Sequence, residues 1–266
     1  MCLILFACHS HPDYPLIVAA NRDEFYERPT APAAFWQDHP DILAGRDLKE
    51  GGSWMGIHRT GRLAAITNYR DIRQIKPDAP SRGKLVSSFL MDDADPETFL
   101  KDVHRKAHNY NGFSLLLGNY YNLLYYSSAT GEIAPVEPGI HGLSNHLLDS
   151  PWPKVERGKN RLREILKQER PPSPEAILDL LGDGEQPPDH LLPDTGVGIE
   201  WERMLSTIFI SSPFYGTYSS TVLLVHKNGA VTFIERDSRP GPTQGRKVCL
   251  EFTIDDDSLL QEQNYD

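Results

Sequence analysis

Cysteine is scarce in this chain: three residues in 266, at positions 2, 8 and 249. That number and spacing provide neither a disulfide framework nor the paired knuckles of a zinc site, and they suit a reducing compartment. Long apolar runs are missing as well. No stretch approaches the roughly 18 uninterrupted apolar residues of a membrane-spanning helix, so no stable membrane insertion is expected. The apolar opening, residues 1–7, has no basic leader and gives way to His9, His11 and Asp13. This argues against a secretory signal, and the expected location is cytoplasmic. Positive charge is in short supply too. Twenty-seven Lys and Arg stand against 37 Asp and Glu, a net charge of −10, which discourages nucleic acid and anionic lipid as partners. Arg157, Lys159, Arg161 and Arg163 lie on a predicted helix with Glu156 and Glu164 among them, the pattern of a solvated face. Neither a dinucleotide fingerprint nor a phosphate loop occurs, and there is no internal repeat.

The apolar residues that are present make strands at both ends of the chain with helices between them. Residues 3–7 and 16–20 read as two buried strands joined by a turn with Pro12, Asp13 and Pro15. An irregular, proline-bearing stretch is expected over 28–49. The turns at 51–53 and 59–61 then bracket a second hairpin, 54–58 with 62–67, which delivers Asn68 at its exit. Helical spacing covers 81–91 and 95–107, with Pro96 near a helix start where its missing N–H costs little. Strand character returns over 113–117, 122–127 and 139–144. Helices are predicted over 153–167 and 173–181, a polar loop over 183–193, and strands over 207–211, 220–226, 230–235 and 248–254. Asn228-Gly229 is the pair favoured by a type I′ hairpin turn. The last residues, 255–266, read as an acidic tail.

The residues suited to chemistry sit at strand exits. Cys2 directly follows the initiator methionine, so removal of Met1 leaves a thiol and a free α-amine on one residue. With a pKa of ~8 for the amine and ~8.5 for the thiol, the amine can take the sulfur's proton at neutral pH. A cysteine at this position also suits, as a small hydrophobe, the first apolar residue of a buried strand. Asp23, in the cluster Asn21-Arg22-Asp23-Glu24, either orients the amine or pairs with Arg22 or Arg28. Asn68 and Asn145 either donate hydrogen bonds to a reacting carbonyl or satisfy backbone groups in turns. His104 and His108 share a predicted helix face but have neither the glutamate of a metalloprotease motif nor a third ligand, so no metal is expected.

These motifs in their order closely resemble the NRDE family, also called the transport and Golgi organisation protein 2 family. They are Met1-Cys2-Leu3-Ile4, Asn21-Arg22-Asp23-Glu24 with its flanks, Gly51-Gly52-Ser53-Trp54, Thr67-Asn68-Tyr69, Tyr110-Asn111-Gly112-Phe113, Gly142-Leu143-Ser144-Asn145, Ser150-Pro151-Trp152-Pro153-Lys154 and Tyr215-Gly216-Thr217. The resemblance implies an α+β, four-layer αββα sandwich of antiparallel sheets, of the N-terminal nucleophile hydrolase type. This is the fold of the choloylglycine hydrolase and penicillin V acylase group. One domain over 1–254 is expected.

Carried over by position, Cys2 is the nucleophile, Asp23 the carboxylate that orients its amine, and Asn68 and Asn145 the oxyanion donors. Asn21, Arg22, Trp54 and Tyr218 are expected around the substrate. The implied function is cleavage of a non-peptide C–N amide in a small molecule, without cofactor or metal; the alternative is haem binding and trafficking on the same fold. Two departures stand out, the first from the acylase pattern and the second from that of the family. The arginine three residues before the aspartate is Ala20 here, and Gly216-Thr217 continues with Tyr218 where arginine is common.

Overall fold

The structure is a computed structural model that describes residues 2–168 and 171–255. Of the expected acidic tail, all but Asp255 lies outside these residues. The chain opens with β1 (Cys2–Cys8), β2 (Leu16–Phe25), β3 (Thr30–Phe35), β4 (Ile42–Asp47), β5 (Met55–His58) and β6 (Arg62–Asn68). Helices α1 (Gly83–Met91) and α2 (Pro96–Lys106) follow, then β7 (Phe113–Asn119), β8 (Leu123–Ser127), β9 (Ile133–Pro135) and β10 (Gly139–Leu143). After α3 (Pro153–Gln168), α4 (Pro174–Leu181) and α5 (Ile199–Leu205) come β11 (Tyr215–Val225), β12 (Ala230–Asp237) and β13 (Lys247–Thr253).

The strands form two antiparallel sheets, a six-stranded one in the order β10-β1-β2-β11-β12-β13 and a seven-stranded one running from β3 to β9 in sequence order. Strands β1 and β2 read as unbroken apolar runs because both of their faces are covered. Ile4, Phe6, Leu16, Val18 and Ala20 meet Leu43, Met55, Ile57, Leu63 and Leu116 of the other sheet. The alternate residues Leu3, Leu5, Ala7, Ile17 and Ala19 pack beneath Val155 and Leu162 of α3 and Ile177 and Leu181 of α4. On the opposite outer face, Ile42, Ala44, Ala64 and Ile66 lie under Val86 and Phe89 of α1 and Leu100 and Val103 of α2. Three apolar layers thus bind four structural layers, αββα. Helix starts follow local chemistry: Asp95 accepts from Thr98 N–H (3.0 Å) ahead of Pro96, and Ser173 accepts from Ala176 N–H (3.2 Å) ahead of Pro174. Among the described residues no helix is long and apolar enough to cross a membrane.

Three local expectations are corrected, and two short elements are added. The stretch 28–49 is not irregular: it holds β3 and β4, the edge of the seven-stranded sheet, with a register shift between Ala31 and Ala34 around Pro32. Alanine, proline and glycine hide strand character there, and pairing with β5 supplies it. Residues 207–211 do not form a strand; only an isolated bridge joins Ser211 to Gly216, and β11 begins earlier than expected, at Tyr215. Helix α5 and strand β9 carry no clear period in the sequence, being seven and three residues long. The turn before β12 is not type I′, since only Gly229 takes a positive φ (84°). It is a three-residue loop, closed by Gly229 N–H to His226 O (2.9 Å) and His226 N–H to Ala230 O (2.8 Å).

Candidate active site

The exits of β2 and β6 meet at a cleft of about 250 Å³ whose lining includes Arg22, Asp23, Glu24, Trp54 and Asn68. Strand register brings Cys2 to this end of the sheet: its cross-strand partner in β2 is Arg22. On the other side of β2, Arg22 pairs with Ser219 and Asp23 with Thr217, leaving Tyr218 as the extra residue of a bulge. A bulge re-aims the side chains around it. Here Thr217 donates its hydroxyl to Asp23 Oδ1 (2.9 Å), while the Tyr218 ring lies 4.7 Å from the Arg22 guanidinium carbon.

Asp23 is 2% exposed. Burial lifts its carboxyl above the ordinary carboxylate range, against the opposing influence of Lys154, the Thr217 hydroxyl and Arg70. Lys154 is itself buried, in the first turn of α3, with Nζ donating to Leu205 O (2.8 Å). A lysine there opposes the helix dipole. That conflict, together with its place in the run Ser150 to Lys154, was the available signal for a residue the sequence reading left without a role.

Asn145 is fully buried, and its Nδ2 donates to the backbone oxygen of Asn68 (3.1 Å). Its Oδ1 accepts from Arg70 Nη2 (3.2 Å), and Arg70 Nη1 donates to Glu202 (2.8 Å). The two asparagines are therefore joined, Asn68 on the cleft wall and Asn145 behind it. Arg70 and Glu202 were not singled out from sequence, because their partnership spans 132 positions.

Asn21 is corrected. Alternation along β2 turns it toward the helices, away from the cleft, where Nδ2 donates to Leu181 O and Ile208 O (both 2.9 Å) and Oδ1 accepts from Ser220 (2.7 Å). It fastens the end of α4 and the segment before β11 to the sheet, with no atom left for a ligand. Trp54 does line the cleft, and its ring rests on Gly45, where an added Cβ would stand 2.2 Å from the indole. Tyr218 lines a neighbouring cavity of about 400 Å³, which shares Trp54 as a wall and contains Glu235 and Arg239. Arg239 Nη1 donates to the Tyr218 hydroxyl (2.7 Å), and its guanidinium lies 4.4 Å from the ring centre. Among the described residues no group of three side chains could hold a metal ion.

The loop that carries Asn145 is tied down by Asp149, which has a positive φ (53°). Asp149 accepts from Gly142 N–H (3.0 Å), lies 2.7 Å from His141 Nδ1 and pairs with Lys159 (3.0 Å). Burial opposes the charged carboxyl, but His141, Lys159 and the Gly142 N–H outweigh it and hold Asp149 at about 2. The Asp149 hydrogen bond in turn raises the His141 imidazole. The lowered carboxylate contributes stability above its ordinary value of 3.8 that is lost as pH falls toward about 2. The raised imidazole contributes stability below its ordinary value of 6.5 that is lost as pH rises through its folded value. Asp149→Asn, which tolerates the left-handed backbone, is expected to cost about 2 kcal/mol near pH ~5.5 and clearly less near pH ~9. Urea unfolding at the two pH values checks this; an equal loss at both would remove the imidazole from the account.

The sequence profile of the transport and Golgi organisation 2 family matches residues 1–240. The chain belongs to that family. It is 38% identical over 275 residues to the mouse transport and Golgi organization 2 homolog, covering 96% of this chain and 99% of the mouse protein. It is 40% identical over 257 residues to the human homolog, covering 89% and 92% respectively. Among solved structures, a variant of conjugated bile acid hydrolase from Clostridium perfringens aligns over 95% of this chain and 97% of its own, with a TM-score of 0.49 and 8% identity.

Proposed function

We propose that this member of the transport and Golgi organisation 2 family is a cysteine amidohydrolase of the N-terminal nucleophile type, acting on a non-peptide C–N amide once Met1 is removed. The observation that carries the reading is the convergence at one cleft. Asp23 and Asn68 line it, Asn145 is fastened to Asn68, and Arg22 lies across the strand pair from Cys2.

In this mechanism the α-amine of Cys2 takes the thiol proton, and the thiolate attacks the amide carbon. A C–S bond forms and the carbonyl π electrons move onto oxygen, where the Asn68 carboxamide donates to the oxyanion while Asn145, buried behind it, holds the Asn68 backbone in place. Asp23 accepts from the resulting ammonium. The ammonium passes its proton to the amide nitrogen, the C–N bond breaks and the amine departs, leaving a thioester. Water attacks the thioester and gives a proton to the α-amine. The C–S bond breaks, the carboxylic acid leaves and the thiol is restored. Haem carriage would ask for an apolar cleft with an axial ligand; this lining is largely charged and polar, with Arg22, Asp23, Glu24 and Arg28 among it.

Intact mass of the purified protein is expected to lack Met1. On mixing with a broad panel of acylated amines it should gain an acyl group that maps to Cys2, and Cys2→Ala should gain none. A retained methionine, or turnover that survives Cys2→Ala, would overturn the proposal.

A further inference from the structure

Arg22 is 5% exposed and lines the cleft, yet its charge is poorly answered by the protein. The guanidinium carbon lies 4.3 Å from the Trp54 ring centre and 4.7 Å from that of Tyr218, between two aromatic partners. Nη1 is buried, and no acceptor among the described residues reaches it. Among the described residues the only carboxylate within 4.0 Å is Glu24, at the limit of that distance from Nη2, and Glu24 is also drawn to Arg28 at 3.7 Å. Glu235, in the cavity behind Trp54, already has both oxygens engaged, by Ala33 N–H (2.8 Å) and the Ser219 hydroxyl (3.3 Å). Burial also pushes that carboxyl toward its neutral form, against the opposing influence of the Ala33 N–H, the Ser219 hydroxyl and the Arg22 charge. Arg28, by contrast, is matched by Asp47 at 2.6 Å.

A buried guanidinium without a full set of acceptors opposes folding, and stacking on two rings offsets this only in part. The stacking does fix the plane of the fork, which is the geometry that takes a carboxylate through two parallel hydrogen bonds. The register partner of this residue is Cys2, so the two Cα atoms are within about 4.5–5.5 Å of one another. We propose that Arg22, clamped between Trp54 and Tyr218, is a carboxylate-binding subsite, and that ligands of this cleft carry an acid group a few bonds from the carbon that Cys2 attacks. The inference rests on the nucleophile reading above and adds a substrate class to it. Glu24 yields its loose contact with Arg22 to the ligand and stays with Arg28.

Two alkylating reagents that differ only in this group provide the test. Iodoacetate and iodoacetamide both form an S–C bond as the C–I bond breaks and iodide leaves; one carries a carboxylate, the other a neutral carboxamide. Rates are measured at each cysteine by quantitative peptide mapping, with exposed Cys249 as the internal reference. The iodoacetate-to-iodoacetamide ratio is expected to be about tenfold higher at Cys2 than at Cys249. A change in thiol acidity alone cancels from this ratio. Arg22→Gln is expected to bring the Cys2 ratio down to that of Cys249, and Arg22→Lys to keep part of the preference. Equal ratios at the two cysteines of the native protein overturn the inference, as does a Cys2 preference that survives Arg22→Gln. Should Arg22→Gln fail to fold, the native ratio decides, supported by stronger protection of Cys2 against iodoacetamide by acetate than by acetamide. A Cys2 inert to both reagents sinks the nucleophile reading and this inference with it; a reactive Cys2 without preference sinks the inference alone.

Discussion

Glu202→Gln is expected to lower the unfolding free energy by about 3–5 kcal/mol, among the largest single losses in this fold. The side chain keeps its size, so the loss is electrostatic. Arg70 and Glu202 are both 4% exposed and 2.8 Å apart, and removing the carboxylate charge leaves a buried guanidinium without its counter-ion. Thr195 donates both N–H (2.7 Å) and hydroxyl (2.6 Å) to the same carboxylate, so the segment before α5 loosens as well. For a chain of this size the expected fall in Tm is roughly 10 °C. The double variant Arg70→Met with Glu202→Leu should recover much of the loss, because apolar groups of similar size leave no unpaired charge. Thermal and urea unfolding of the three proteins check this. A Glu202→Gln protein within about 1 kcal/mol of the native one, or a double variant no better than the single, would show that the pair is not the tie described. The same tie reaches the site: Arg70 donates its backbone N–H to Asn145 O (2.8 Å) and Nη2 to the Asn145 carboxamide.

Asn68→Ala is expected to slow acylation of Cys2 by about 10²–10³-fold, the usual effect of removing one oxyanion donor. It is also expected to change stability by less than about 0.5 kcal/mol. The contrast makes it a better test than Asn145. The Asn145 carboxamide is fully buried and holds Asn68 O and Arg70, so any change there mixes packing with chemistry. Asn68 lines the cleft, and it is the residue's backbone oxygen that carries the contact with Asn145. Single-turnover formation of the acyl adduct, followed by intact mass alongside urea unfolding, separates the two effects. An unchanged acylation rate would remove Asn68 from the oxyanion site; a large stability loss would assign it to the fold.

Features whose cause is local were legible along the chain. The apolar runs of β1 and β2, the helical periods of α1 to α4, and the proline and capping residues at 95–96 and 173–174 could be read within one segment each. The ordered motifs from Cys2 to Tyr215 carried the family and, with it, the αββα layers. Features that depend on partners far along the chain came from the folded arrangement. Asn21 belongs to the same four-residue cluster as Arg22 and Asp23, yet alternation on a sheet covered on both sides sends it to Leu181 and Ile208 while Arg22 turns to Trp54. Strands β3 and β4, helix α5 and the Arg70–Glu202 pair were silent for the same reason: their stability comes from packing and charge pairing between segments rather than from propensity within one. A linear reading registers which side chains are available, whereas burial and closure of the sheets select which of them meet.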